Sequence, residues 1–145
     1  MDATDILNDC RVAPVVVIED HTQAVALAAT LLEAGIKAIE VTLRTSAALE
    51  AIRLIADNVP GILVGAGSVR RPDHFEQIAN SGASFAVSPG ASDRLTDAAE
   101  KAHMLFVPGG SNATDIIYLL ERGYLLQKFF PAELSGGTAM LKALS

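Results

Sequence analysis

The sequence predicts an α/β fold in which parallel strands alternate with helices and close into a (β/α) barrel. Three observations carry that expectation. Short runs of Val, Ile, Leu and Ala alternate with segments whose apolar residues recur at helical spacing. The strand runs are apolar on both faces, as parallel strands covered by helices are. The turn after the first strand, Glu19-Asp20-His21-Thr22, is acidic and has no glycine, whereas a doubly wound nucleotide binder carries a glycine-rich turn there.

The elements follow in order. After a polar lead over 1–11, the β-branched run Val12–Ile18 reads as a strand. Thr22–Ala34 repeats Val25, Leu27, Ala28, Leu31 and Leu32 at helical spacing, and Gly35 closes that helix. Ala38–Leu43 is the second strand and Ser46–Asp57 the second helix. Ile62–Ala66 is the third strand, and Pro72 opens a helix that Gly82 ends. Ser84–Ser88 is the fourth strand, with Ser92 as the N-cap of a helix running to about Ala102. Met104–Val107 is the fifth strand, Asn112 caps a helix over Ala113–Arg122, and Leu125–Phe130 is the sixth strand. Thr138–Leu144 begins a last helix. Ala34-Gly35-Ile36, Ser81-Gly82-Ala83 and Arg122-Gly123-Tyr124 each stand just before a strand, which suggests a repeated βα unit. No linker or low-complexity tract divides the 145 residues, so a single domain is expected.

Composition narrows the function. Half the residues are hydrophobic and 19% are charged, as in a core-rich globular chain. The net charge of -6 and the absence of a Lys/Arg block argue against nucleic acid as a partner. No apolar run reaches the roughly 20 residues of a membrane helix, so no membrane partner is expected. Cys10 is the only cysteine, which excludes an internal disulfide and suggests a cytoplasmic location. His21, His74 and His103 have no metal-ligand spacing, so no metal is expected.

The polar residues that interrupt the strands carry the chemistry. Lys128 lies in the apolar run Leu125-Leu126-Gln127-Lys128-Phe129-Phe130, which should be interior. Burial disfavours an ammonium, and a neutral amine attacks carbonyl carbon, so a Schiff-base lysine is one reading. A lysine that snorkels to water from a strand end is the other. In Ile39-Glu40-Val41-Thr42-Leu43-Arg44, alternation turns Ile39, Val41 and Leu43 to the helices and Glu40, Thr42 and Arg44 to the lumen. The lumenal set is either a site or an internal Glu40–Arg44 ion pair. Ser68 follows Val64 and Ala66 in alternating register, after Gly65 and Gly67, whose small size permits close backbone approach. Ser88-Pro89-Gly90 and Pro108-Gly109-Gly110-Ser111 end two further strands. All of these segments fall at C-terminal strand ends, where barrel enzymes place their sites.

Four segments, taken together, resemble one family: Ile39-Glu40-Val41-Thr42-Leu43-Arg44-Thr45, Val64-Gly65-Ala66-Gly67-Ser68-Val69, Phe85-Ala86-Val87-Ser88-Pro89-Gly90 and Lys128-Phe129-Phe130-Pro131-Ala132-Glu133. In order and spacing the chain is similar to the bacterial class I aldolases that cleave 2-keto-3-deoxy-6-phosphogluconate and 4-hydroxy-2-oxoglutarate. That resemblance implies a TIM barrel, here truncated after its sixth strand and part of the following helix, since such barrels rarely run below about 200 residues. It implies that Lys128 forms the Schiff base, that Glu40 is the general acid/base and that Arg44 binds the carboxylate of the pyruvate half. Ser68 stands where the family usually has threonine, and Pro89 and Phe130 line the pocket. The family's phosphate-binding glycines and serine belong to the last two strands of the barrel, so no residue here is assigned to phosphate. A 2-keto acid substrate, no cofactor beyond the covalent imine, and a homotrimer are also implied. The alternatives are a 4-hydroxy-2-oxoglutarate aldolase and a truncated, inactive barrel serving as a binding or assembly module.

Overall fold

The computed structural model describes Asp5, Leu7 and residues 10–144. The strands are β1 (Val15–Val16), β2 (Ala38–Thr42), β3 (Leu63–Gly67), β4 (Phe85–Val87), β5 (Leu105–Val107), β6 (Gly109–Gly110) and β7 (Lys128–Phe129). Between them run α1 (Ala24–Glu33), entered through a 3-10 turn over His21–Gln23, then α2 (Ala48–Asn58), α3 (Asp73–Asn80), α4 (Asp93–Lys101) and α5 (Ala113–Glu121); α6 (Gly137–Leu144) follows β7. All strand pairs are parallel, in the order β1-β2-β3-β4-β5, with β6-β7 as a separate pair. Pro108 separates the predicted fifth strand from β6, which lies in the segment read as its closing turn. Residues before it pair with β4, and those after it pair with β7, so one segment joins both ladders. A proline cannot donate to a ladder, which accounts for the break.

Alternation sorts the strand residues into two layers. Ile39, Val41, Val64, Ala66, Ala86 and Phe106 face the helices and join Ala28, Ile52, Ile55, Phe75 and Ile78 in the main core. Phe106 meets Phe75 edge-on at 5.3 Å and Tyr124 at 5.6 Å. Ala38, Phe85 and Val87 face the lumen with Leu63, Leu105 and Val107, and Leu7 and Cys10 pack against them.

The recurring glycines end helices in one way. Ile36 N–H donates to Leu31 O and Gly35 N–H to Leu32 O. The same pair of bonds joins Ala83 to Ile78 and Gly82 to Ala79, and Tyr124 to Leu119 and Gly123 to Leu120. Each glycine is left-handed, with φ of 85°, 78° and 85°, as this helix stop requires. After α4 the identical bonds run from Met104 to Ala99 and from His103 to Glu100, with His103 at φ 50°. The βα repeat therefore has a fourth member with histidine in the glycine position. Ser92 and Asn112 cap α4 and α5, each accepting the third following amide.

Two expected strands are shorter and wetter than their sequences suggest. Val12–Ile18 forms a ladder only at Val15–Val16, and Val12 is exposed. Leu125–Phe130 is paired only at Lys128–Phe129, and Leu125 is 86% exposed. Both lie at the ends of the strand order, with a neighbour on one side alone, so the apolar runs there have less to pack against.

Candidate active site

Glu40 is placed by the centre of β2. Its amide donates to Pro14 O, and it stands in register with Val15 on one side and Gly65 on the other. All five residues of β2 are buried, and alternation aims Glu40 at the lumen while Ile39 and Val41 fill the helix-facing core. Lys128 comes from the other ladder. Its amide donates to Pro108 O, and Phe130 N–H donates to Gly110 O. The Lys128 ammonium then reaches across the lumen, with Nζ 3.1 Å from Glu40 Oε1 and 3.2 Å from Oε2. The Glu40 side chain is 8% exposed and that of Lys128 25%. The run expected to be interior is only half-buried at Lys128: its amine is held by a charge-assisted contact with a buried carboxylate at the edge of water, because the strand carrying it is covered on one side only. The alternative Glu40–Arg44 pairing is not the one adopted, since Glu40 turns both oxygens to Lys128.

Arg44 lies just beyond β2, where its Nε donates to Ser68 Oγ at 3.3 Å. Ser68 does not follow the alternation of Val64 and Ala66, which face the helices. Its backbone is left-handed, φ 59°, and this reverses the side chain toward the mouth. A non-glycine residue with positive φ is uncommon and costs free energy unless its surroundings fix it. Here Val69 N–H donates to Val87 O immediately after the turn. Pro89 is fixed by Ser88, a fully buried hydroxyl that donates to Gly90 O at 2.6 Å and accepts from Gly109 N–H at 3.4 Å. The Phe130 ring centroid lies 5.3 Å from Lys128 Nζ, within cation–π reach.

These side chains line one cleft of about 220 Å³: Glu40, Arg44, Ser68, Pro89, Lys128 and Phe130, with Val15. The structure thus brings together all six residues singled out in the sequence. Val15 was missed, and its register opposite Glu40 is the signal that finds it. Ser88 was read as the end of the fourth strand and the start of its turn, with no role of its own, although a hydroxyl directly after the apolar run Phe85-Ala86-Val87 marks it. The arrangement offers a nucleophilic amine, a carboxylate able to exchange protons with it, and a guanidinium and hydroxyl at the rim for an anionic group. Among the described residues no group of three or more His, Cys, Asp or Glu could hold a metal ion, and no helix is long and apolar enough to cross a membrane. His74, near the start of α3, has its pKa lowered by desolvation and then by Arg71, and it accepts from Arg70 N–H.

Known proteins resemble the chain in sequence and in fold. The family described as "KDPG and KHG aldolase" matches residues 3–145. A 2-dehydro-3-deoxy-phosphogluconate aldolase of Pseudoalteromonas atlantica is 41% identical over 144 residues, which are 99% of this chain and 67% of that protein. The crystal structure of the 2-keto-3-deoxy-6-phosphogluconate aldolase of Zymomonas mobilis superposes with a TM-score of 0.93 at 40% identity, over 99% of this chain and 69% of that one. The Legionella pneumophila KDPG aldolase, solved with pyruvate captured as a covalent carbinolamine, gives a TM-score of 0.92 at 39% identity, over 97% of this chain and 68% of that one. The chain spans about two-thirds of the length of these relatives. With the parallel βα architecture and this extent of likeness, the chain belongs to the KDPG and KHG aldolase family.

Proposed function

We propose that the cleft carries out class I aldol cleavage of 2-keto-3-deoxy-6-phosphogluconate, giving pyruvate and glyceraldehyde 3-phosphate, with no cofactor beyond the imine formed on Lys128. The observation that carries this reading is the contact of Lys128 Nζ with both carboxylate oxygens of Glu40 inside a cleft rimmed by Arg44 and Ser68. Arg44 and Ser68 bind the substrate carboxylate, Arg44 through its planar donors. Lys128 passes a proton to Glu40 and attacks C2; the new N–C bond forms as the carbonyl pair moves to oxygen, which takes up the proton that the nitrogen releases. Loss of that hydroxyl as water, protonated by Glu40, leaves the iminium. The Glu40 carboxylate then removes the C4 hydroxyl proton. As C4=O forms, the C3–C4 pair flows into the iminium to give an enamine, and the aldehyde departs. Glu40 returns its proton to C3, and water releases pyruvate from Lys128. Pro89 and Phe130 form apolar walls beside the reacting carbons.

The same residues serve 4-hydroxy-2-oxoglutarate, which presents the same 2-keto acid end, and the matching family covers both activities. The phosphorylated substrate is favoured by the name of the Pseudoalteromonas relative. The reading extends to a single barrel domain, a cytoplasmic enzyme of the Entner–Doudoroff route and a homotrimer. The free Cys10 suits the cytoplasm, and apolar residues on the outer helices, such as Ile117 and Leu120 of α5, suit a trimer interface. An inactive binding module is the opposing outcome. Pyruvate release from the two substrates tests the proposal: faster release from the phosphorylated acid supports it, faster release from 4-hydroxy-2-oxoglutarate reassigns the substrate, and release from neither leaves the binding module.

A further inference from the structure

We propose that Gly67 is a positioning residue for Glu40: the missing side chain at the end of β3 is the space in which the Glu40 carboxylate sits. This rests on the proposed aldol chemistry. A Cβ placed on Gly67 would lie 2.1 Å from Glu40 Oε1 and 2.7 Å from both its Cδ and Cγ, so its three nearest neighbours all belong to that one side chain. The backbone of Gly67 cannot withdraw. It stands in register with Thr42, and its carbonyl accepts from Leu43 N–H at 2.9 Å. Val69, two residues on, is held by Val87 O at 3.0 Å. The carboxylate is confined on its other side by Lys128, so a side chain at position 67 has to displace it from the amine.

Gly65, two residues earlier on the same face, differs in kind. A Cβ there would lie 2.3–2.4 Å from three atoms of the buried Phe85 ring. A packed ring has no alternative position, whereas a carboxylate at the end of a flexible chain does. The two lumenal glycines of the Gly65-Ala66-Gly67 segment therefore have separate roles, one structural and one catalytic in consequence. Neither has a left-handed backbone.

The test uses the 145-residue chain and its Gly67→Ala variant with pyruvate. Two readouts are compared: the fraction of chain trapped as an imine adduct by borohydride at equilibrium, which needs Lys128, and the exchange of pyruvate methyl protons with deuterium oxide, which needs Glu40 to shuttle protons on the enamine. Gly67→Ala is expected to keep most of the trapped fraction, to slow exchange by about ten-fold or more, and to melt within about 4 °C of the parent. Gly65→Ala should instead lower the melting temperature by more. When Glu40→Asp is already in place, the shorter carboxylate side chain needs less of the notch, and Gly67→Ala should then cost less exchange than it does beside Glu40. Parallel loss of trapping and exchange, exchange unchanged, or melting as low as that of Gly65→Ala would each overturn the inference. Absence of trapping in the parent chain would overturn the aldol reading itself, and this inference with it.

Discussion

The two strands that supply the acid and the amine are held in opposite ways. β2 is paired on both sides, all five of its residues are buried, and its outward side chains anchor the main core. β7 has two residues, both half-buried, and one partner strand. Glu40 is therefore fixed by the sheet before any site contact is made. Lys128 is aimed by two backbone bonds to Pro108 and Gly110 and, beyond them, by Glu40 itself. A buried carboxylate needs a partner, and an amine on a marginal strand needs something to hold it, so each supplies what the other lacks.

The difference can be broken first through stability. Ile39→Ala, at a fully buried position beside Glu40, should destabilise by about 2–5 kcal/mol. Leu125→Ala, just before β7, should stay within about 0.5 kcal/mol. Denaturant titration of both variants measures the gap, and equal losses would erase the distinction. Glu40→Gln should keep the fold and lower turnover by about two orders of magnitude or more. The steady-state rate of pyruvate release reads this, and unchanged turnover would remove Glu40 from the mechanism. Hydrogen exchange sharpens the contrast further: the Glu40 and Leu43 amides should be protected at least about ten-fold more than those of Lys128 and Phe130. The smallest effect lies behind β2 on α2, where Arg53 pairs with Glu50 at 2.6 Å and Asp57 at 2.8 Å, all exposed. Arg53→Ala should leave the melting temperature almost unchanged, because exposed pairs are screened by water and salt.

What could be read from the sequence follows the same division. The lumenal direction of Glu40 was legible because β2 alternates cleanly between core and site. The glycine helix stops were legible because left-handed backbone selects glycine, and His103 escaped notice because it adopts the same conformation without that residue. Ser68 was placed in the right cleft by a register that fails: the left-handed turn, invisible in a serine, reverses its side. β6 was missed because Gly109-Gly110 has no side-chain pattern to show a strand. The exposure of Leu125 was not legible either. Apolar residues signal a strand, but whether a neighbour covers it depends on the whole strand order.

Capture of pyruvate on a single lysine tests the central claim most directly. The chain is incubated with pyruvate, reduced with borohydride, digested, and the modified peptide identified by mass. Lys128 should carry the adduct, because it faces the cleft with a carboxylate beside its amine. Lys37, Lys101 and Lys142, all on the exposed surface, should remain unmodified. An adduct spread over the surface lysines, or none on Lys128, would contradict the account.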